Sequence, residues 1–64
     1  MKTGVVKFFN MGKGFGFITV DGTGEDVFVH QTGLVDMVTD GDLVSFNLEQ
    51  GKKGINAVNV KRQK

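Results

Sequence analysis

Residues 14–30 read GFGFITVDGTGEDVFVH, two runs of alternating side chains on either side of a glycine-containing turn. Successive side chains of a β-strand point to opposite faces, so this alternation predicts two strands, each with an aliphatic and an aromatic face. The pattern assigns to the aliphatic faces Ile18, Val20, Val27 and Val29. It assigns to the opposite faces Phe15, Phe17, Phe28 and His30. The stretch therefore predicts two strands that bury one side and present rings on the other.

Turn signals and composition extend the β pattern to the rest of the chain. Glycine-containing turns at residues 10–12, 21–24, 40–41 and 50–54 predict strands at residues 4–10, 14–20, 27–30, 43–49 and 55–61. Ten valines and five threonines against one alanine favour strands over helices. Five short strands predict an all-β fold, a five-stranded antiparallel OB-fold barrel, because closure removes exposed strand edges.

Residues 31–42 depart from this strand pattern. Leu34, Val35 and Val38 are spaced as on one turn of helix, and a Thr-Asp-Gly sequence ends the run. At most one short helical turn fits there. We expect residues 1–64 to form a single domain, with residues 61–64 as a loose tail.

The size of the chain limits how many rings can be buried. A chain of 64 residues builds one core, because it buries only about 60% of its unfolded surface. We therefore expect Phe15, Phe17 and Phe28 to stay largely exposed, although each then forgoes about 1.5–3 kcal/mol of burial. Unpaired nucleobases would use such a surface, because each base–ring stack contributes about 1–3 kcal/mol. Lys7 and Lys13 flank the rings in sequence and would hold phosphates.

Three other uses of the rings stay open at this point. The rings could pack on one another or beneath residues 31–42. They could dock an apolar partner protein, or serve a strand-exchanged dimer. Of the oligomeric states, we expect the monomer.

The charges are distributed in three blocks, although the formal net charge is only +1. Residues 1–20 carry +3, residues 21–49 carry −7 and residues 50–64 carry +5. Such blocks either form a basic and an acidic face in the folded chain or are ordinary solubilising charges.

Several classes of function lack the residues that they need. The chain has no cysteine, which excludes a disulfide framework and a thiolate metal site and suits a cytoplasmic location. His30 is the only histidine and has no carboxylate cluster beside it, so we expect neither a metal site nor an enzyme. Residues 12–16 fit neither the dinucleotide fingerprint nor the P-loop, so we expect no cofactor. No run approaches the roughly 18 apolar residues of a membrane span, and we expect no membrane partner.

The two motifs resemble those of a known family. Residues 13–18 (KGFGFI) and 27–30 (VFVH) resemble the two ribonucleoprotein-type motifs of the bacterial cold-shock proteins. The first also fits the RNA-recognition-motif consensus, but that fold is longer, needs two helices and places its second motif upstream. Residues 4–10, 44–46 and 54–60 are similar to the opening, fourth and closing strands of the cold-shock domain. The resemblance thus extends over nearly the whole chain.

The resemblance implies an RNA chaperone that binds single-stranded RNA and single-stranded DNA, prefers pyrimidine-rich stretches and opposes RNA secondary structure. Its implied roles are cold adaptation and the control of gene expression. Carried over position by position, the bases would stack on Phe8, Phe15, Phe17, Phe28 and His30. Polar contacts would come from Lys7, Asn10, Lys13 and Asp26.

The sequence departs from the family in ways that predict a smaller and weaker site. Phe8 stands where the family usually has Trp, and Gln31 stands where an aromatic residue commonly follows the motif histidine. Residues 31–42 are shorter than in the common bacterial form and lack its loop aromatic. Strand parity puts Phe8 and Phe9 on opposite faces unless a bulge intervenes. We assign Phe8 to the surface by resemblance and Phe9 to a partly buried edge.

Overall fold

The computed structural model describes residues 1–51 and 54–63 as five strands and one short 3₁₀ turn. The strands are β1 (Lys2–Asn10), β2 (Phe15–Val20), β3 (Asp26–His30), β4 (Leu43–Gly51) and β5 (Gly54–Arg62). All five predicted strands are confirmed. Lys52 and Lys53 of the predicted turn and Lys64 of the predicted tail lie outside the described residues.

The strands close into a barrel in the order β1-β2-β3-β5-β4. Neighbouring strands are antiparallel except β3 and β5, which run parallel with Phe28 opposite Asn56. The predicted all-β barrel of five strands is confirmed, and this one parallel pair is an exception to its antiparallel pairing. The exception is a matter of counting, because directions cannot alternate all the way around a closed ring with an odd number of strands.

The core fills the barrel with small aliphatic side chains and one large ring. Phe46 is its largest fully buried side chain, and Phe9 and Leu34 pack against the core from its edge. The other buried apolar residues are Val6, Ile18, Val20, Val27, Val29, Val38, Val44, Ala57 and Val60. The aliphatic faces predicted for β2 and β3 are therefore the inward faces of the barrel.

The segment between β3 and β4 contains the single short helical turn that we expected, at Gln31–Gly33. The turn lies before the apolar residues whose spacing predicted it. Leu34 instead forms a parallel bridge with Val60, and the Val35 N–H donates to the Val60 carbonyl oxygen at 2.8 Å. Val38 then enters the core. Backbone pairing with β5 thus decides the path of this segment.

The end of β5 corrects the sequence analysis. Lys61 and Arg62, which we placed in a loose tail, pair with Ser45 and Val44 of β4. These ladder contacts close the barrel, so the strand continues through Arg62.

The contact between β1 and β2 leaves no room for a side chain at Gly16. This buried residue lies opposite Phe9, and an added Cβ would meet the Phe8 carbonyl oxygen and the Phe9 Cα. Gly16→Ala should lower the free energy of unfolding by about 1–3 kcal/mol or more, because backbone has to shift to accept the methyl group. Urea unfolding followed by circular dichroism measures this change.

Gly12→Ala is the matched control for this substitution. Its added Cβ would meet only the Asn10 Oδ1 atom, at 3.3 Å, so we expect a much smaller effect. Equal midpoints for the two variants would show that the β1–β2 contact has room for a methyl group at Gly16.

Candidate nucleic-acid interface

A β-bulge in β1 decides which side chains of this strand face outward. Val6 lies opposite Ile18 and Phe8 lies opposite Phe17, so Lys7 is an extra residue in β1. A bulge of this kind bends a strand and changes the face to which the following side chains point.

The bulge puts both Lys7 and Phe8 on the outside of the barrel. Phe8 is 37% exposed, whereas Phe9 is half-buried and packs against the core. In a regular strand, Phe8 would share the inward face of Val6. The predicted positions, Phe8 on the surface and Phe9 at a partly buried edge, are confirmed.

Strand pairing collects the predicted stacking residues on the outer surface of β1, β2 and β3. Phe8, Phe17 and Phe28 lie opposite one another across the three strands. Nearer the β1–β2 turn, Asn10, Phe15 and His30 form a second row. We call the following residues the aromatic face: Phe8, Phe15, Phe17, Phe28 and His30.

The four phenylalanine rings of the aromatic face pack on one another, which corrects the expectation that Phe15, Phe17 and Phe28 stay largely exposed. The ring centroids of Phe8 and Phe17 are 5.5 Å apart, and those of Phe17 and Phe28 are 5.8 Å apart with an edge-to-face arrangement. Phe15 lies nearly parallel to Phe28 at 6.0 Å. Phe15, Phe17 and Phe28 are half-buried by these contacts and none of them belongs to the core. Aromatic pairs at such distances attract each other by about 0.5–1.5 kcal/mol, so each ring is held in place by its neighbours.

His30 is held by Thr32, two residues further along the chain in the 3₁₀ turn. Its Nδ1 atom accepts a hydrogen bond from the Thr32 N–H at 3.3 Å and lies 3.0 Å from the Thr32 Oγ1 atom. With Nδ1 as the acceptor, a neutral ring carries its proton on Nε2. The ring is thus fixed at the end of β3 with an exposed donor.

Lys7 and Asp26 form an ion pair beside the aromatic face. The Lys7 Nζ atom donates to Asp26 Oδ2 at 3.0 Å, and the Thr19 hydroxyl donates to Asp26 Oδ1 at 2.9 Å. The hydrogen bond from Lys7, and then that from Thr19, lower the pKa of the Asp26 carboxyl below its ordinary value. Asp26 is therefore a carboxylate at neutral pH, and its charge offsets that of Lys7.

Asn10 and Lys13 belong to the turn between β1 and β2. The Asn10 Oδ1 atom accepts a hydrogen bond from the Lys13 N–H at 3.0 Å, and the Asn10 carbonyl oxygen accepts one from Gly14 at 2.7 Å. Asn10 thus shapes the turn through both its side chain and its backbone. The Lys13 ammonium forms no ion pair within the described part of the chain, so it is available to a phosphate.

Folding brings the three charge blocks of the sequence into contact with one another. Lys7 of the first block pairs with Asp26 of the second, and Arg62 of the third lies 3.8 Å from Asp42 of the second. Both pairs are partly exposed, so each is weak. These contacts favour mixed solubilising charge over a strongly basic face.

Three polar residues beside the aromatic face were missing from the predicted site. Thr19 donates a hydrogen bond to Asp26 and has the same strand parity as Phe17. The alternation along β2 could therefore have predicted that Thr19 lies on the outer face. Thr32 orients His30, and Asn56 lies opposite Phe28. Asn56 joins the site through the parallel β3/β5 pair, which no local sequence pattern predicts.

Two kinds of feature are absent from the described residues. Residues 1–51 and 54–63 contain no group of three or more His, Cys, Asp or Glu side chains placed to hold a metal ion. No helix within these ranges is long and apolar enough to cross a membrane.

Comparison with known proteins identifies related chains. Residues 2–63 match the family model described as 'Cold-shock' DNA-binding domain. The cold shock-like protein CspG of Shewanella violacea is 52% identical over 62 residues, which cover 91% of this chain and 89% of that protein. The cold shock-like protein CspA of Stigmatella aurantiaca is 48% identical over an alignment of 65 positions, which covers 95% of this chain and 96% of that protein.

A structural comparison finds the same fold in a larger protein. The structure described as drosophila Unr CSD456 matches with a TM-score of 0.82 over 98% of this chain, at 23% sequence identity. This chain spans about a quarter of that protein, 26% of its length. At this identity, the similarity concerns the fold.

The ion pair between Lys7 and Asp26 predicts a measurable shift in titration. Lys7→Gln should raise the pKa of Asp26 toward its ordinary value of 3.8, and by more than Thr19→Val does, because Lys7 is the larger cause of the lowered pKa. Because the pKa of Asp26 is lower in the folded than in the unfolded chain, ionised Asp26 stabilises the fold at pH values above the ordinary pKa. This stabilisation is lost as the pH falls through the folded-state pKa. NMR titration of the carboxyl carbons measures the shift, with Lys13→Gln as the control. An Asp26 pKa that is unchanged by Lys7→Gln would mean that the pair does not persist in solution.

Proposed function

This chain belongs to the cold-shock DNA-binding domain family, and we propose that it binds single-stranded RNA and single-stranded DNA on the aromatic face. The observation that supports this most strongly is the array of phenylalanines outside the core, with centroid spacings of 5.5–6.0 Å. The activity is binding, and no covalent bond is made or broken.

Bases would stack one by one on the rings of Phe8, Phe15, Phe17, Phe28 and His30. The planes of Phe8 and Phe17 differ by 48° and those of Phe17 and Phe28 by 80°. Bases that follow these planes cannot continue one regular stack, so the bound strand has to turn between them. Such a path requires unpaired, flexible nucleic acid, and flexibility of the strand favours pyrimidine-rich stretches.

The polar residues around the rings would bind the rest of each nucleotide. Lys13, whose ammonium forms no ion pair within the described residues, would bind a phosphate, and Asn10 would offer its amide to a base edge. Lys7 reaches a phosphate by sharing or exchanging its contact with Asp26. Asp26 accepts hydrogen bonds from base donors when Lys7 turns to the phosphate. Since the described cations beside the rings are few, stacking supplies most of the affinity.

The cellular role that follows from this binding mode is that of an RNA chaperone in the cytoplasm. A protein that binds only unpaired strands shifts the equilibrium away from duplex by mass action, which opposes secondary structure. Cold favours RNA secondary structure, and such an activity suits cold adaptation and the control of gene expression. Barrel closure pairs every strand on both sides, and we propose that the protein acts as a monomer.

Substitution of the rings separates binding from stability. Phe17→Ala should weaken binding of a fluorescently labelled oligo-dT by about 1–3 kcal/mol, with Phe15→Ala and Phe28→Ala in the same direction. Ile18→Ala, at the neighbouring core position, should instead cost about 2–5 kcal/mol of folding stability. Titrations together with urea unfolding measure both quantities. Ring variants that lose as much stability as Ile18→Ala but keep wild-type affinity would assign the rings to folding alone.

The stacking mechanism predicts how the affinity differs between single strands and duplexes and how it depends on salt concentration. Single strands should bind more tightly than duplexes of the same sequence, whose base faces are already stacked. The two phosphate contacts, from Lys7 and Lys13, predict a log–log salt slope of about −1.4, at about −0.7 per contact with a single strand. Titrations over a range of salt concentrations measure the slope. Tighter binding to duplex, or a slope near zero, contradicts the mechanism.

A further inference from the structure

A surface groove lies between the β1–β2 turn and the segment after β3. Its walls expose two of the three methionines of the chain, Met11 at 56% and Met37 at 62%, and Val35 at 55%. Phe9 and Leu34 are half-buried beneath these side chains and pack on the core. We call this surface the methionine groove; it is formed by Phe9, Met11, Gln31, Leu34, Val35 and Met37, and Thr32 and Asp36 complete its lining.

The methionine groove continues the aromatic face. Met11 directly follows Asn10, and Gln31 directly follows His30, the two outer members of the row that contains Phe15. Thr32 connects the two surfaces, since it lines the groove and also holds the His30 ring. A strand that leaves the aromatic face along this row therefore enters the groove.

The chemistry of the groove selects the base over the phosphate of a nucleotide. None of the described lining residues is a cation, and its one charged group is the carboxylate of Asp36, which accepts a hydrogen bond from the Arg62 N–H at 3.1 Å. This carboxylate repels a phosphate. Thioether side chains attract aromatic rings and adapt to their shape. The Gln31 amide and the Thr32 hydroxyl at the rim can bond the polar edge of a base.

We propose that the methionine groove binds one further nucleobase of the strand held on the aromatic face, with Met11 and Met37 in contact with that base. This inference rests on the proposed function and extends its site by one nucleotide. The groove thereby supplies a base contact at the end of the site where the segment after β3 is shorter than in the common bacterial form. Gln31 stands there in place of the aromatic residue that commonly follows the motif histidine. The phosphate of this nucleotide stays outside the groove.

Methionine oxidation provides a footprint of this contact. Dilute hydrogen peroxide converts exposed thioethers to sulfoxides, and Met1, 80% exposed at the opposite end of β1, is a built-in control. A saturating oligo-dT that spans both surfaces should slow the oxidation of Met11 and Met37 and leave that of Met1 unchanged. Mass spectrometry of the peptides measures the three rates. Equal rates with and without the oligonucleotide would overturn the proposal.

Affinity measurements give an independent test. The double substitution Met11→Ser and Met37→Ser should weaken binding roughly two- to tenfold, the range expected for sulfur–aromatic contacts. In a length series of oligo-dT up to about ten nucleotides, the loss should appear only once the strand reaches the groove. Leu43→Ser, which removes an equally exposed apolar side chain from β4, is the matched control and should have no effect.

Phe17→Ala separates failure of the groove from failure of the aromatic face. One outcome is that Phe17→Ala binds more weakly at every length, whereas the methionine variant binds like wild type at every length. This outcome would overturn the groove proposal but not the proposed function. Wild-type binding by Phe17→Ala at every length would overturn the proposed function, and the groove proposal with it.

Discussion

The small interior of the barrel is the constraint on which the rest of the structure depends. It is filled by valines, one isoleucine, one alanine and a single fully buried ring, Phe46. Phe9 occupies the edge of this core, and four phenylalanines lie outside it. Because burial inside is no longer available, these four rings pack on one another, which leaves Phe15, Phe17 and Phe28 half-buried and Phe8 37% exposed. A surface held in this way can receive base faces without first fixing its own side chains, which lowers the entropic cost of binding.

Local alternation predicted most of this arrangement, because strand parity and burial agree in β2 and β3. Ile18 and Val29 are fully buried, and Phe17 and Phe28 lie outside the core, as the period-two alternation of a β-strand predicts. The bulge at Lys7 could not be predicted from parity, since it breaks parity, and only the resemblance to a known family placed Phe8 correctly. Contacts between segments that are distant in sequence could not be predicted from local patterns either. The pairing of Lys61 with Ser45, which replaces the expected tail, depends on closure of the barrel.

Electrostatic attraction should contribute less to the binding affinity than the blocks of charge in the sequence indicated. Folding pairs Lys7 with Asp26 and brings Arg62 to Asp42, so neighbouring blocks offset each other. The cation beside the rings that forms no ion pair within the described residues is Lys13. Affinity should therefore depend mainly on stacking and on the length of strand that the surface accommodates. The apolar methionine groove fits this balance, because it extends the site without adding charge.

Binding of unpaired bases to the outer surface of β1, β2 and β3 is tested most directly by NMR spectra of the complex. Titration of the isotope-labelled protein with oligo-dT should shift the ring and backbone signals of Phe15, Phe17 and Phe28. The thymine methyl protons should move upfield, because they enter the ring currents of these side chains. Signals of β4, on the other side of the barrel, should stay in place. Shifts concentrated on β4, with the signals of the three phenylalanines unchanged, would contradict the account.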